Sequence, residues 1–123
     1  MKKQFLPKWL DKPVDKDYLS ANDYLELLYG KKNARKWSKA LKDAPMTSYL
    51  ARDLLRASAT PISEVQAFDW IKQEKEIASG TPLSPILLIR QENGQPLIIA
   101  DGFHRLCAVF SVDQDTSVPC KIA

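Results

Sequence analysis

The sequence predicts an α+β fold in which helices come first along the chain and strands follow. As far as about Ala78, apolar residues recur at helical spacing, whereas after Gly80 short apolar runs are bounded by turn residues, as expected for strands. A length of 123 residues fits one domain with one core. We therefore predict a single domain over residues 1–123, with a helical appendage at 1–45 and an α/β unit at 46–123.

The segment before the first predicted helix, Met1–Asp17, contains prolines and alternating charges, which favours an irregular arm. The apolar pattern predicts a first helix over Ser20–Tyr29, with Gly30 as its C-terminal stop. A second helix is predicted over Asn33–Asp43 and ends before Pro45. Four residues of the arm are expected to pack onto the domain: Phe5, Leu6, Trp9 and Leu10.

Two further helices are predicted before the strands. A short one covers Tyr49–Ala57 and ends at a loop that contains a proline. A longer one begins near Glu64 and runs to Ala78, with Phe68 and Ile71 on its buried face. Gly80 follows it at the position of a C-cap glycine.

The strand region begins with Pro85–Ile89, a short apolar run typical of a buried strand. Asn93-Gly94 is a strong two-residue hairpin signal and predicts that Leu97–Ala100 returns beside it. A helix is predicted over Gly102–Val112 from its apolar spacing. Val118–Ile122 is a final strand, whose proline places it at a sheet edge or delays its pairing until after the proline.

The segment that carries chemistry is the turn from Asp101 to Arg105, where a buried strand ends, a glycine permits a sharp turn and a helix starts. A helix N-terminus is a natural anion site, and Gly102 lets a ligand approach the backbone closely. Arg105 can offer a bidentate fork to phosphate, and His104 can donate to a phosphate or move a proton near neutral pH. Asp101 can accept from a ribose hydroxyl, help to hold a metal or cap the helix.

The alternative is an ordinary helix start. In that case Asp101 is the N-cap, Gly102 serves the turn, and His104 and Arg105 point outward as polar residues.

Four segments in this order resemble the ParB/sulfiredoxin superfamily, over about 55 of the 123 residues. They are a helix closing with Ile77-Ala78-Ser79-Gly80, the run Leu83-Ser84-Pro85-Ile86-Leu87-Leu88, the strand-turn-helix from Asp101 to Ala108, and the strand Val118–Ile122. The whole chain also looks like a group of short bacterial proteins with an N-terminal Leu-Pro-Lys-Trp-Leu and a D-G-[FY]-H-R core.

The resemblance implies a ParB/sulfiredoxin-like small mixed sheet with helices. It also implies that Gly102, Phe103, His104 and Arg105 form a nucleotide phosphate site, with Asp101 and His104 as the catalytic candidates. Asp101 matches members with D-G-H-H-R, among which free-serine kinases occur. The implied cofactor is ATP or another nucleotide with Mg²⁺, and no residues are assigned as a metal site of the protein itself.

The departures from the superfamily exclude one of its activities. Sulfiredoxins have a reactive cysteine directly before the histidine, where this chain has Phe103. Repair of a sulfinylated peroxiredoxin is therefore not expected. Cys107 lies on the apolar side of the predicted helix, and we interpret it as a core residue. Lys121 falls where sulfiredoxins also have a lysine, and it receives no role.

Composition limits the partners. The net charge of +3 is compatible with a phosphate ligand without requiring nucleic acid, although six basic residues crowd the stretch from Lys31 to Lys42. No apolar run reaches the roughly 18 residues that cross a bilayer, and no secretion signal is evident. We expect a cytoplasmic protein with no membrane partner and with both thiols, Cys107 and Cys120, reduced and buried.

Three function classes follow. The first is a nucleotide-dependent kinase or phosphohydrolase acting on a small molecule, for which Asp53, Glu64, Arg56 and Ser58 are weaker candidates. The second is a regulatory or protein-interaction module without catalysis, which would bind its partner through an aromatic face. That face would consist of Trp9, Tyr18, Tyr24, Tyr29 and Trp37. Packing on the core is the simpler role of these residues. The third is a ParB-like nucleic-acid-binding or nuclease domain, favoured by the lysine cluster and disfavoured by the modest charge.

Overall fold

The computed structural model describes residues 6–61, 63 and 71–123, and within them four helices and one four-stranded sheet. The helices are α1 (Asp15–Asp43), α2 (Ala51–Ala57), α3 (Ile71–Ser79) and α4 (Phe103–Val112). The strands are β1 (Met46–Leu50), β2 (Ile86–Ile89), β3 (Ile98–Asp101) and β4 (Ser117–Ile122). Their order in the sheet is β1-β4-β2-β3, with β4 parallel to β2 and the other two pairings antiparallel. The predicted α+β class with a mixed sheet is confirmed.

Helices cover both faces of the sheet. Because successive side chains of a strand point to opposite faces, the fully buried strand β2 contributes to two cores. Leu87 and Ile89 pack with α1, in a core that also contains Tyr18, Ala21, Leu25, Ala34, Leu41 and Ala100. Ile86 and Leu88 pack with the other helices, in a core that includes Ala51, Leu54, Leu55, Ile77, Leu106, Val109, Val118 and Cys120. The N-terminal helical region is thus one layer of the fold.

Helix α1 consists of two segments, residues 15–29 and 31–43, separated by Gly30 with φ 81° and ψ 166°. The Ser38 hydroxyl donates to Asn22 Oδ1 at 2.8 Å. These two residues are equally far from Gly30 in the sequence, so the two segments lie side by side and antiparallel. The predicted stop at Gly30 is confirmed, since only a left-handed residue lets the chain reverse there.

The first segment of α1 begins at Asp15 rather than at Ser20, within the predicted arm. The chain before it is held by backbone bonds to Leu83, whose N–H donates to the Lys8 carbonyl and whose carbonyl accepts from the Leu10 N–H, both at 2.8 Å. Trp9 packs against the core as expected, whereas Leu6 and Leu10 are exposed. Phe5 lies outside the described residues.

The main error of the sequence prediction is at Tyr49–Ala57, where one helix was expected. Tyr49 and Leu50 belong to β1, and the helix begins only at Ala51. Strand β1 forms because its whole length pairs with β4. That partner lies far along the chain, so the local apolar pattern does not reveal it.

The other strand predictions fare better. Asn93 and Gly94 both have positive φ, at 58° and 70°, and they turn the chain between the antiparallel strands β2 and β3. Strand β4 lies between β1 and β2, so its predicted edge position is wrong. The second alternative, pairing only after the proline, holds on one side of the strand. The ladder with β2 begins at Cys120, after the missing N–H of Pro119, whereas the ladder with β1 already includes Ser117 and Pro119.

The predicted helix from Glu64 to Ala78 is described only in part. Its described part, α3, is followed by Gly80 with φ 76°, which confirms the C-cap glycine. Glu64 and Phe68 lie outside the described residues, whereas Ile71, predicted on the buried face, is exposed and that prediction is wrong. None of the helices in the described ranges has both the length and the apolar composition needed to cross a bilayer.

Candidate functional site

The turn between β3 and α4 has the predicted strand-turn-helix arrangement. Asp101 is the last residue of β3, and Gly102 follows it in the left-handed region with φ 100°. Regular helical bonding begins where the Leu106 N–H donates to the Gly102 carbonyl at 2.9 Å. Gly102 is therefore the N-cap residue, and as a glycine it has no side chain with which to cap the helix. The expectation that Asp101 caps the helix is wrong, because the left-handed glycine leaves Asp101 in the strand.

Gly102 is required for two independent reasons. Its positive φ is one that L side chains rarely adopt. A Cβ at this position would also lie 2.6 Å from Ile86 Cδ1 and 2.8 Å from Arg105 Nη2. The space left by the missing side chain is where the guanidinium of Arg105 packs.

Arg105 is held between two carboxylates. Its Nη2 lies 3.1 Å from Asp101 Oδ2 and 3.1 Å from Asp17 Oδ2 at the start of α1. The three side chains are largely buried, with 20% of Arg105, 18% of Asp101 and 6% of Asp17 exposed. Arg105 was expected to offer its fork to a phosphate, and here Nη2 is engaged within the protein. Its Nε is buried and has no hydrogen-bond partner among the described residues.

Asp17 is a site residue that the sequence did not indicate. It lies in a stretch that was interpreted as an irregular arm, 88 residues before its partner Arg105. Nothing in its neighbourhood marks it as buried, because its burial depends on where α1 packs. A helical reading of this stretch would have placed Asp17 on the same face as Ala21 and Leu25, and that was the available signal.

The pKa of the Asp101 carboxyl is raised above its usual 3.8. Burial is the largest cause, because a charged carboxylate loses hydration there. The Arg105 guanidinium opposes the rise, and the nearby Asp17 carboxyl adds to it. Asp101 therefore holds a proton more readily than an exposed aspartate.

A cleft of about 680 Å³ opens over this turn. Its described walls come from three helices, from the chain after α2 and from β3. They are Ser20 and Tyr24 of α1, Ser58, Ala59 and Thr60 after α2, Gln73 of α3, and the run from Leu97 to Arg105, which reaches into α4. The hydroxyl oxygens of Ser58 and Thr60 lie 2.9 Å apart. His104 is exposed on the first turn of α4, with its ring 5.9 Å from that of Phe103.

The five motif residues Asp101, Gly102, Phe103, His104 and Arg105 all line this cleft. Among the weaker candidates, Ser58 joins them, whereas Asp53 and Arg56 are exposed and are not among the lining residues. Asp53 lies 3.9 Å from Arg52 at the surface. Glu64 lies outside the described residues.

Most of the aromatic residues considered as an interaction face pack inward. Tyr18 is buried, and Trp9, Tyr29 and Trp37 are partly buried against the two cores. Tyr24 is 43% exposed and contributes to the cleft. Core packing is thus the main role of this set.

The two cysteines are buried, as predicted, and they are not joined in a disulfide. Burial raises the pKa of Cys120 to about 11, which makes its thiolate scarce at neutral pH. Cys107 belongs to the core beneath α4 and does not line the cleft. Across the ranges that the structure describes, no three histidine, cysteine, aspartate or glutamate side chains come together as a metal site.

Comparison with protein-family models, with curated proteins and with solved structures finds no significant match. The ParB/sulfiredoxin resemblance therefore remains a prediction from the residues that carry it.

Proposed function

We propose that this chain binds a nucleotide, or another small molecule that bears a phosphate, in the cleft over the start of α4. The observation that carries the proposal is that the N-terminal end of α4 opens into the cleft of about 680 Å³. Ligand sites for small molecules commonly have volumes of about 300–1,000 Å³. The size of the cleft thus suits a nucleotide.

The chemistry of the walls favours a phosphate group. The macrodipole of α4 places partial positive charge at Phe103 and His104, where an anion is stabilised. The Ser58 and Thr60 hydroxyls also line the cleft. Ser58 donates to the Leu55 carbonyl at 3.0 Å, so Thr60 donates to Ser58 at 2.9 Å, and either hydroxyl would have to exchange its present acceptor for a phosphate oxygen. The superfamily resemblance supports the same assignment, since the corresponding turn in its members holds nucleotide phosphates.

The position of Arg105 changes the role that it has in this proposal. Its charge is shared with two carboxylates, so its main contribution is to hold the turn in place. Asp101 lines the cleft and is the carboxylate available to a Mg²⁺ ion that arrives with a nucleotide. Such an ion is commonly held by one or two carboxylates together with the phosphates, which this site fits.

Phosphoryl transfer or hydrolysis is the catalytic extension of the proposal. His104 is exposed at the cleft, where its imidazole is placed to act as a general acid or base. Asp101, the other catalytic candidate, would serve as the ligand of the Mg²⁺ ion rather than as a proton carrier. The bound metal would neutralise charge that develops on the phosphates. A cytoplasmic location, with its supply of nucleotides, belongs to this proposal.

The test is thermal unfolding of the purified protein with ATP, ADP, CTP, GTP or inorganic phosphate, each with and without Mg²⁺. A nucleotide at 100 times its Kd stabilises the folded state by about 2.7 kcal/mol. For a domain of this size that raises Tm by about 10 °C. If none of these ligands shifts Tm, the proposal is wrong.

The site is tested by His104→Glu, which places a carboxylate where the phosphate would bind. An acidic residue in the first turn of a helix is favourable, so the free protein should keep its Tm while the ligand-induced shift disappears. The control is Ser48→Glu, which introduces the same residue and the same negative charge at an exposed position of β1, at the opposite edge of the sheet. The control should keep the full shift.

Catalysis is tested separately by phosphate release from the nucleotide that gives the largest shift. Release by the wild type that is lost in His104→Gln, with the Tm shift retained, supports a proton-transfer role for His104. Binding without release limits the proposal to a binding module.

A further inference from the structure

The second segment of α1 presents a continuous basic surface, here called the basic face. All six of its residues are exposed: Lys31, Lys32, Arg35, Lys36, Lys39 and Lys42. At 3.6 residues per turn, these positions fall within an arc of about 140° of the helix, over a length of about 17 Å. The crowding seen in the sequence is therefore also a crowding on one side of a folded helix.

Packing fixes the direction of the basic face. The opposite side of the segment carries Ala34 and Leu41, both fully buried, and the partly buried Trp37. These residues anchor the segment to the sheet, and the neighbouring segment of α1 contributes Tyr18 and Leu25 to the same core. The basic face consequently points to solvent from a helix that packing holds in place.

Among the residues that the structure describes, no carboxylate forms an ion pair with the basic face, and the one acidic residue within its arc is Asp43 at the end of the helix. The Lys42 ammonium lies 5.8 Å from the ring of Tyr18, which leaves its charge in place. Like charges four residues apart, such as those of Lys32 and Lys36, destabilise a helix. A polyanionic partner would remove that repulsion.

We propose that the basic face binds the phosphate backbone of double-stranded nucleic acid without reading its sequence. A duplex carries one negative charge for about each 1.7 Å of its axis, which complements a row of cations of this length. Binding of this kind rests on lysine and arginine contacts to phosphates.

Other polyanions fit the basic face less well. Single-stranded nucleic acid is normally bound on exposed aromatic side chains, and the aromatic residue of this segment, Trp37, packs toward the core. Helices that lie in a membrane surface insert large apolar residues beside their lysines, and the basic face contains none. The basic face is also separate from the cleft, whose α1 residues, Ser20 and Tyr24, belong to the first segment. This inference therefore does not rest on nucleotide binding.

The test is fluorescence anisotropy of a labelled duplex of about 20 base pairs, titrated with the protein between 50 and 200 mM salt. Six phosphate contacts give a slope of log Kobs against log salt of about −5. The variant Lys32→Gln/Lys36→Gln/Lys39→Gln should reduce the magnitude of that slope by about 3. The matched control is Lys12→Gln/Lys72→Gln/Lys75→Gln, which removes the same charge from exposed lysines outside the basic face and should keep most of the slope.

Circular dichroism checks that both triple variants are folded. If the first is not, Lys36→Gln alone replaces it, with an expected reduction of about 1 in the slope. The proposal is overturned if the duplex is not bound at 50 mM salt, or if both triple variants lose the same affinity. It is also overturned if poly-glutamate or vesicles with anionic headgroups bind as tightly as the duplex, which would indicate an acidic protein or a membrane as the partner.

Discussion

Arg105 on α4 and Asp17 on α1 form an ion pair, with Nη2 and Oδ2 3.1 Å apart. The two helices cover opposite faces of the sheet, so this pair joins the two layers beside the end of β3. Only 6% of the Asp17 side chain and 20% of the Arg105 side chain are exposed. The contact is therefore shielded from solvent more than an ordinary surface salt bridge.

Removing the charge of Asp17 should destabilise the protein. We expect Asp17→Asn to lower the free energy of unfolding by about 1.5–3 kcal/mol, because a hydrogen bond between charged groups is lost in a largely buried place. Urea denaturation measures the change. Asp23→Asn, at an exposed position of the same segment, is the control and should change the free energy of unfolding by less than about 0.5 kcal/mol.

Arg105→Ala should cost more, about 3 kcal/mol or more, because it leaves the carboxyls of Asp17 and Asp101 close together without their shared cation. Adding Asp17→Asn to Arg105→Ala should then cost little further. Additive losses in the double variant would show that Asp17 and Arg105 act independently and would contradict the coupling.

A comparison of Gly102 with Gly94 separates two costs of placing a side chain at a glycine. One is the cost of a steric clash of the new Cβ, and the other is the cost of a positive φ. Both have positive φ, but a Cβ at Gly102 meets Ile86 and Arg105, whereas a Cβ at Gly94 meets nothing within 4 Å. Gly94→Ala should cost about 1–2 kcal/mol from the left-handed backbone alone. Gly102→Ala should cost at least about 1 kcal/mol more, because well-packed neighbours must move. Equal losses in thermal or urea unfolding would mean that Arg105 and Ile86 adjust freely.

The parts of the fold that the sequence predicted are those with local signals. The buried strand β2, the helix α4 and the helix end at Gly30 each depend on a short apolar run or on one glycine. Strand β1 was missed because it is defined by hydrogen bonds to β4, near the other end of the chain. A local pattern cannot indicate a partner at that distance.

The candidate site likewise has one part that the sequence predicted and one part that only the structure revealed. The turn from Asp101 to Arg105 is contiguous in the sequence and was identified there, and all of it lines the cleft. Tyr24 and Gln73 come from separate helices, and only the packing of those helices brings them to the cleft. The ion pair of Arg105 with Asp17 could also be found only in the structure, because the guanidinium reaches across to α1.

The raised pKa of Asp101 predicts a specific dependence of stability on pH. A carboxyl whose folded-state pKa lies above its unfolded value of 3.8 binds more protons in the folded state. Its contribution to stability is then complete below pH 3.8 and is lost as the pH rises through the folded-state pKa. The free energy of unfolding of the wild type, minus that of Asp101→Asn, should therefore fall as the pH rises from about 3.8.

Urea denaturation of both proteins at a series of pH values between 3 and 7 measures this difference, and wild type minus Asp23→Asn is the control at an exposed position. The sign of the slope of this free-energy difference against pH decides between two opposing effects at Asp101. Burial penalises the charged carboxylate and gives a falling difference, whereas attraction to Arg105 favours the charged form and gives a rising one. A rising difference would contradict the raised pKa, and it would mean that the ion pair with Arg105 outweighs the cost of burying Asp101.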